Sequence, residues 1–323
     1  MTMIETARGP VEASDLGRVL MHEHVFVISP EMQQNYPDDW GDEDDRVTDA
    51  VTRLNELKAV GIDTILDPTA LGLGRYIPRI ARIADQIDLN IVVATGLYTF
   101  DVLPHYFGRR TPGSGPGGSD PMVDMFVRDI SKGIADTDIK AGVIKCATDR
   151  PGITEGVERV LRACARAHLE TGCPITTHTH AASGRGLEQQ AIFKEEGVDL
   201  GNVVIGHSGD SDDLDYLLAL IDNGSYLGMD RFGIDAYLPT AQRVAVVAEL
   251  CERGYADRMV LSHDASCYLD WIPGELPPPG MEHWSYLHIS NDVLPALREL
   301  GVSEAQIDVM LVDNPRNFLS YDR

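Results

Sequence analysis

Eight short apolar runs, each followed by a stretch with apolar residues at helical spacing, constrain this chain more than any other feature. The first run leads into Met21-His22-Glu23-His24. The others are GIDTILDPT (61–69), LNIVVATGLY (89–98), AGVIKCAT (141–148), CPITTHTH (173–180), NVVIGHS (202–208), SYLGMDRF (225–232) and RMVLSHDA (258–265). Helical spacing follows in 47–60, 75–87, 122–132, 154–171, 187–196, the run DDLDYLLALIDN, 240–253 and near 291–300. Thr154 and Ser211 stand where N-caps belong, and Gly61, Gly172 and Gly224 where helices stop. Ser303 with Gln306 makes a capping box for a last helix. Apolar strands alternating with amphipathic helices imply a parallel sheet covered by helices. Eight such units suit one closed (β/α)8 barrel, a TIM barrel of the α/β class, as a single domain over 1–323. An open doubly wound sheet is the runner-up, but it would usually carry a glycine phosphate loop. Gly72-Leu73-Gly74 has Ile77 where the third glycine of that loop belongs, so it reads as a turn.

Composition narrows the partners. The 323 residues carry a formal net charge of -24. Nucleic acid and anionic membranes both call for basic surface, so neither is expected. No apolar run approaches the length of a membrane span. The N-terminal stretch lacks a basic region followed by an apolar one, so no signal peptide is expected. Five scattered cysteines without a CxxC fit reduced thiols and a cytoplasmic protein. The Gly/Pro-rich 109–119 reads as a mobile surface loop, because the strand–helix rhythm continues beyond it. Residues 30–45 read as a polar, acidic loop.

Ligand-type side chains gather at strand ends. His22 and His24 are two apart, so in a strand they share a face while Glu23 points the other way. Lys145, His178, His207 and Asp264 stand at or near the ends of their own runs. The C-terminal ends of barrel strands form the active-site face. Singly, each histidine and Asp264 could be an ordinary hydrogen-bonded or capping residue. Five strand ends agreeing is a stronger signal. A lysine deep in an apolar strand is costly unless neutralised or paired. Burial lowers its pKa, and the free amine can capture carbon dioxide as a carbamate. His263 alternates with Asp264 and should face the helices. His180 is at most an outer neighbour of the site, and His105, His168, His283 and His288 are assigned no chemistry. Gly206-His207-Ser208-Gly209-Asp210 lacks the last glycine of a GxSxG elbow and is set aside.

With these residues in place, the chain resembles the phosphotriesterase family of the amidohydrolase superfamily. The likeness runs from GPVEASDLGRVLMHEHV through GIDTILDPT, AGVIKCAT, ITTHTHAASGRGLEQQ, VVIGHSGDSDDLDYL and LSHD to DNPRNFL. Within that family it looks most like the lactonases. The resemblance implies that His22, His24 and Asp264 hold a more buried divalent ion, and His178 and His207 a more exposed one. A carboxylated Lys145 and a hydroxide would bridge the ions, which could be zinc, cobalt, manganese or iron. Asp264 would move the proton, and Tyr98, Arg231 and Trp271 would shape the pocket. The implied substrates are N-acyl-homoserine and related lactones, and the implied assembly is a homodimer. An organophosphate triesterase is the alternative, and a non-catalytic metal-binding barrel a more distant one. The link from Arg231 to Met259 is short, where phosphotriesterases proper carry an insertion. The loop 109–119 looks longer and more glycine-rich than is usual in the family.

Overall fold

The computed structural model describes residues 2–272 and 278–321. Eight strands form one sheet: β1 (Val19–Leu20), β2 (Thr64–Asp67), β3 (Asn90–Gly96), β4 (Val143–Thr148), β5 (Ile175–Thr179), β6 (Val203–Ile205), β7 (Tyr226–Met229) and β8 (Met259–Leu261). They lie side by side in chain order, and each neighbouring pair is parallel. The Met21 amide donates to the Leu261 carbonyl at 3.2 Å, which brings the β1 edge to β8. The result is the nearly closed (β/α)8 barrel that the alternation of runs implies.

Strand pleating divides the apolar residues between two cores. Val19, Leu66, Val92, Ala94, Val143, Val204 and Val260 fill the barrel interior and its lower end with Ile4, Leu16 and Phe318. Their neighbours Leu20, Ile65, Ile91, Val93, Ile144 and Ile175 face outward and pack against the helices. Small residues let strands approach closely where the site is built. A Cβ on Gly96 would lie 1.9 Å from the Lys145 carbonyl oxygen, and Gly96 has φ +121. Gly96 and Lys145 are paired across β3 and β4.

Three boundaries differ from the sequence reading. The second-half caps shift first: Asp213, not Ser211, caps Leu214–Asp222, its carboxylate accepting from the Asp215 and Tyr216 amides. A carboxylate directly before the first turn competes better than a hydroxyl two residues earlier. The stretch 30–45 is not wholly loop. It holds a helix, Pro30–Asn35, and the start of another, Glu43–Ala59, capped by Asp42. Three acidic residues in the first turn of that second helix favour its N-terminal dipole, and apolar spacing does not reveal them. Finally, β1 ends at Leu20, before the histidines. A second strand, His24–Val27, pairs in parallel with Ser266–Leu269 outside the barrel sheet. The Pro-rich segment 275–280 falls partly outside the described residues. Thr154 and the Ser303–Gln306 capping box stand as expected, and 109–119 lies on the surface.

Candidate metal centre

Between Met21 and His22 the alternation slips. Both amides turn toward the β8 side, Met21 N to Leu261 O at 3.2 Å and His22 N to Ser262 Oγ at 2.8 Å. Two successive donors to one neighbour shift the pleat by a residue, as in a β-bulge. Val19 faces the interior, and so do His22 and His24. Glu23 then points outward, as expected. It is fully buried and accepts from Ser262 Oγ, the His263 amide and ring Nδ1, and the Ala265 amide, at 2.6–2.9 Å. His263 accepts from the Ile289 amide on its other ring nitrogen at 2.8 Å, so it faces the helices. Glu23 thereby fixes the turn that carries Asp264.

The remaining candidates arrive from their own strands. Lys145 on β4 is 1% exposed, and its Nζ lies 3.0 Å from His22 Nε2 and 3.3 Å from the Thr177 carbonyl. His178 is on β5. His207 and Asp264 follow β6 and β8 in left-handed backbone, with φ of +60 and +56. That conformation is uncommon for side-chain-bearing residues and is a feature of functional turns. Asp264 Oδ1 lies 3.2 Å from His24 Nε2 and 3.5 Å from His22 Nε2, and Oδ2 lies 3.8 Å from His207 Nε2. The His178 and His207 rings are 4.6 Å apart, and those of His22 and His207 4.8 Å. All six of the candidates Lys145, His22, His24, His178, His207 and Asp264 therefore line one cavity of about 230 Å³.

These residues fit divalent ions, and the test is the second nitrogen of each ring. His22 Nδ1 and His207 Nδ1 lie 3.0 and 2.9 Å from the two oxygens of Asp230. His24 Nδ1 meets Thr69 Oγ1 at 2.7 Å, and that hydroxyl donates to Asp67 at 2.5 Å. His178 Nε2 meets Asp149 at 2.6 Å. An acceptor on one nitrogen holds the proton there and leaves the other nitrogen's lone pair facing the cavity. Three of these groups, His22, His24 and Asp264, have ligand atoms within 4.8 Å of one another. Burial pushes the His22 and His207 imidazoles well down and His178 to about 4, so all three are neutral at ordinary pH. Neutral imidazole is the form that binds metal. Burial opposes it, but Asp264 and Asp67 hold His24 up at about 9. Burial also opposes Asp264, yet the Arg231 guanidinium and the His24 imidazolium keep its carboxyl well below the usual range. Burial, with Asp264 nearby, pushes the Asp230 carboxyl up. A dication beside such a cluster favours carboxylate over acid and free imidazole over imidazolium.

Around this floor stand the pocket residues. Tyr98 O–H lies 3.2 Å from His178 Nδ1, and burial raises its phenol, which stays protonated. Arg231 donates to Asp264 and to Asp210, each at 2.9 Å. Arg243 in turn holds Asp210 at 2.7 Å. Trp271 is half exposed, its ring 6.4 Å from Tyr98. His180 instead pairs with Arg150 and Ser183. The sequence reading missed Asp230, Asp149, Asp67, Thr69 and Asp210. The one signal was their position, at or just after strand ends.

A family model described as the phosphotriesterase family matches residues 2–319. The chain is 63% identical over 316 residues to the "Phosphotriesterase homology protein" of Mycobacterium tuberculosis, covering 98% of this chain and 97% of that protein. It is 40% identical over 312 residues to the "Aryldialkylphosphatase" of Saccharolobus solfataricus, covering 96% and 97%. A solved structure of the phosphotriesterase from Mycobacterium tuberculosis matches with a TM-score of 0.95 and 62% identity, covering 99% of this chain and 98% of that one.

Proposed function

The chain belongs to the phosphotriesterase family, whose members are metal-dependent hydrolases, and from that premise we propose that it hydrolyses lactones, N-acyl-homoserine lactones among them. The observation that carries this reading is the cavity. Its floor holds the polar cluster, and its wall offers Val27, Leu73, Ile234, Leu269, Trp271 and Ile272. A lactone is planar at its carbonyl and carries one acyl arm, so one polar end and one apolar wall suit it. A phosphotriester is tetrahedral with three arms and needs three subsites.

His22, His24 and Asp264 would hold one divalent ion, His178 and His207 the other, with a carboxylated Lys145 between them. Such ions supply Lewis acidity, acidifying water and polarising a carbonyl. Asp264, kept ionised by Arg231, accepts the proton of the attacking water and returns it to the departing alkoxide. Tyr98 keeps its proton and so can donate to the oxygen on which negative charge develops. Arg231, locked between Asp264 and Asp210, holds that carboxylate in place.

Steady-state kinetics on both substrate classes test the reading. Acyl-homoserine lactones should show the higher kcat/KM, rising with acyl length as each methylene adds up to about 0.8 kcal/mol of burial. Trp271→Ala should weaken long-chain lactones more than short ones. The name of the Saccharolobus relative favours a second reading, an aryldialkylphosphatase. A phosphotriester with the higher kcat/KM would establish it instead.

A further inference from the structure

We propose that Asp230 is a positioning residue that couples the two halves of the metal centre. Each of its oxygens sets the tautomer of one histidine, and the two histidines belong to different ions. Asp230 follows β7 and is 1% exposed. Its Oδ2 lies 3.0 Å from His22 Nδ1. Its Oδ1 lies 2.9 Å from His207 Nδ1 and accepts from the His207 backbone amide at 2.8 Å. His22 groups with His24 and Asp264; His207 stands against His178. The other two histidines have private partners, Thr69 for His24 and Asp149 for His178. Asp264 faces both halves from the cavity side, through Nε2 atoms; among the described residues, Asp230 is the carboxylate that meets the outer nitrogen, Nδ1, of a histidine from each half.

His22, His207 and Asp230 also have ligand-type atoms close enough for an ion of their own. Both Asp230 oxygens, however, face Nδ1 atoms, while the Nε2 atoms of the same rings face Lys145 and Asp264. The carboxylate therefore supports the rings from behind and is not a third site.

Asymmetry makes the idea testable. A backbone amide can only donate, so in Asp230→Asn the amide oxygen must stay on the His207 side. The new NH₂ then faces His22 Nδ1 and forces it to accept. The His22 proton moves to Nε2, the nitrogen that faces the cavity, and that ring can no longer ligate. Asp230→Asn should therefore retain about one zinc per chain after equilibrium dialysis, where the parent retains about two. In ¹⁵N imidazole spectra of the zinc-loaded protein, His22 should carry its proton on Nε2 and His207 on Nδ1. Asp230→Ala should weaken both ions, each by about 10–100-fold. Asp149→Ala should weaken only the ion of His178 and His207. Two ions at parental affinity in Asp230→Asn, equal loss of both, or a His22 proton still on Nδ1 would overturn the proposal. If Asp230→Asn fails to fold, Asp230→Ala decides alone, since one ion held at parental affinity there would also overturn it. None of these readouts depends on which ester is hydrolysed.

Discussion

A single amine shows how much chemistry one residue can take from its surroundings. Lys145 is buried, and burial brings its ammonium down to about 8, where an ordinary lysine stands near 10.4. Carbamate formation consumes the neutral amine, and raising pH supplies it. With dissolved carbon dioxide held constant, metal uptake by the metal-free protein should rise with pH up to about 8 and then level. A profile still climbing through pH 10 would mean that the amine is an ordinary one. Lys145→Arg should lose both metal and activity, because a guanidinium stays charged and forms no carbamate bridge. Elemental analysis and a lactone assay of the purified variant check this. The sign for stability follows the same pKa. The unfolded chain binds the Lys145 proton up to about pH 10.4 and the folded one only to about 8, so metal-free protein should gain stability from this group between those values.

At the scale of the element, the turn after β8 depends on an acid from β1's continuation. Glu23 gathers four donors from residues 262–265, one of them the His263 ring. Glu23→Ala leaves them buried without an acceptor, which should cost about 3 kcal/mol or more. Urea unfolding of the metal-free variant measures the cost, and reduced metal content should accompany it because Asp264 sits in that turn. The same element shows where sequence is informative. The eight strands were legible because both faces of each are buried, one in the barrel and one under the helices, which forces continuous apolar runs, as in Val19-Leu20, Ile65-Leu66 and Val143-Ile144. The ligands were legible because His22, Lys145, His178 and Asp264 interrupt or terminate those runs. Asp230 and Asp149 were not, since an acid just past a strand usually caps or solvates a loop. Their role exists in hydrogen bonds to rings 208 and 23 residues away in sequence for Asp230, and 29 for Asp149. The break after Leu20 was hidden for a related reason. It comes from two amides turning to one neighbour, and side-chain pattern does not record amide direction.

For the whole molecule, the candidate ligands come from five strands of one ring, Lys145 from within its strand and the others from the end or just beyond, so bound ions tie distant parts of the barrel together. An ion present at about 100 times its Kd adds about 2.7 kcal/mol to the folded state. Chelation should therefore lower the thermal midpoint by several degrees, and re-addition of zinc should restore it. An unchanged midpoint would show that the ions are not held by the folded state. The placement of one ligand set also has a consequence for the birth of the protein. His22 and His24 flank Glu23, and Asp264 adjoins His263, and those two flanking residues are 240 positions apart along the chain. A ribosome makes the histidines early and the aspartate near the close of the barrel. No nascent or truncated chain that stops short of Asp264 can complete that ligand set. Bound metal would therefore mark a chain made at least as far as Asp264, and removal of metal-free, less stable copies would remove the shorter ones with them.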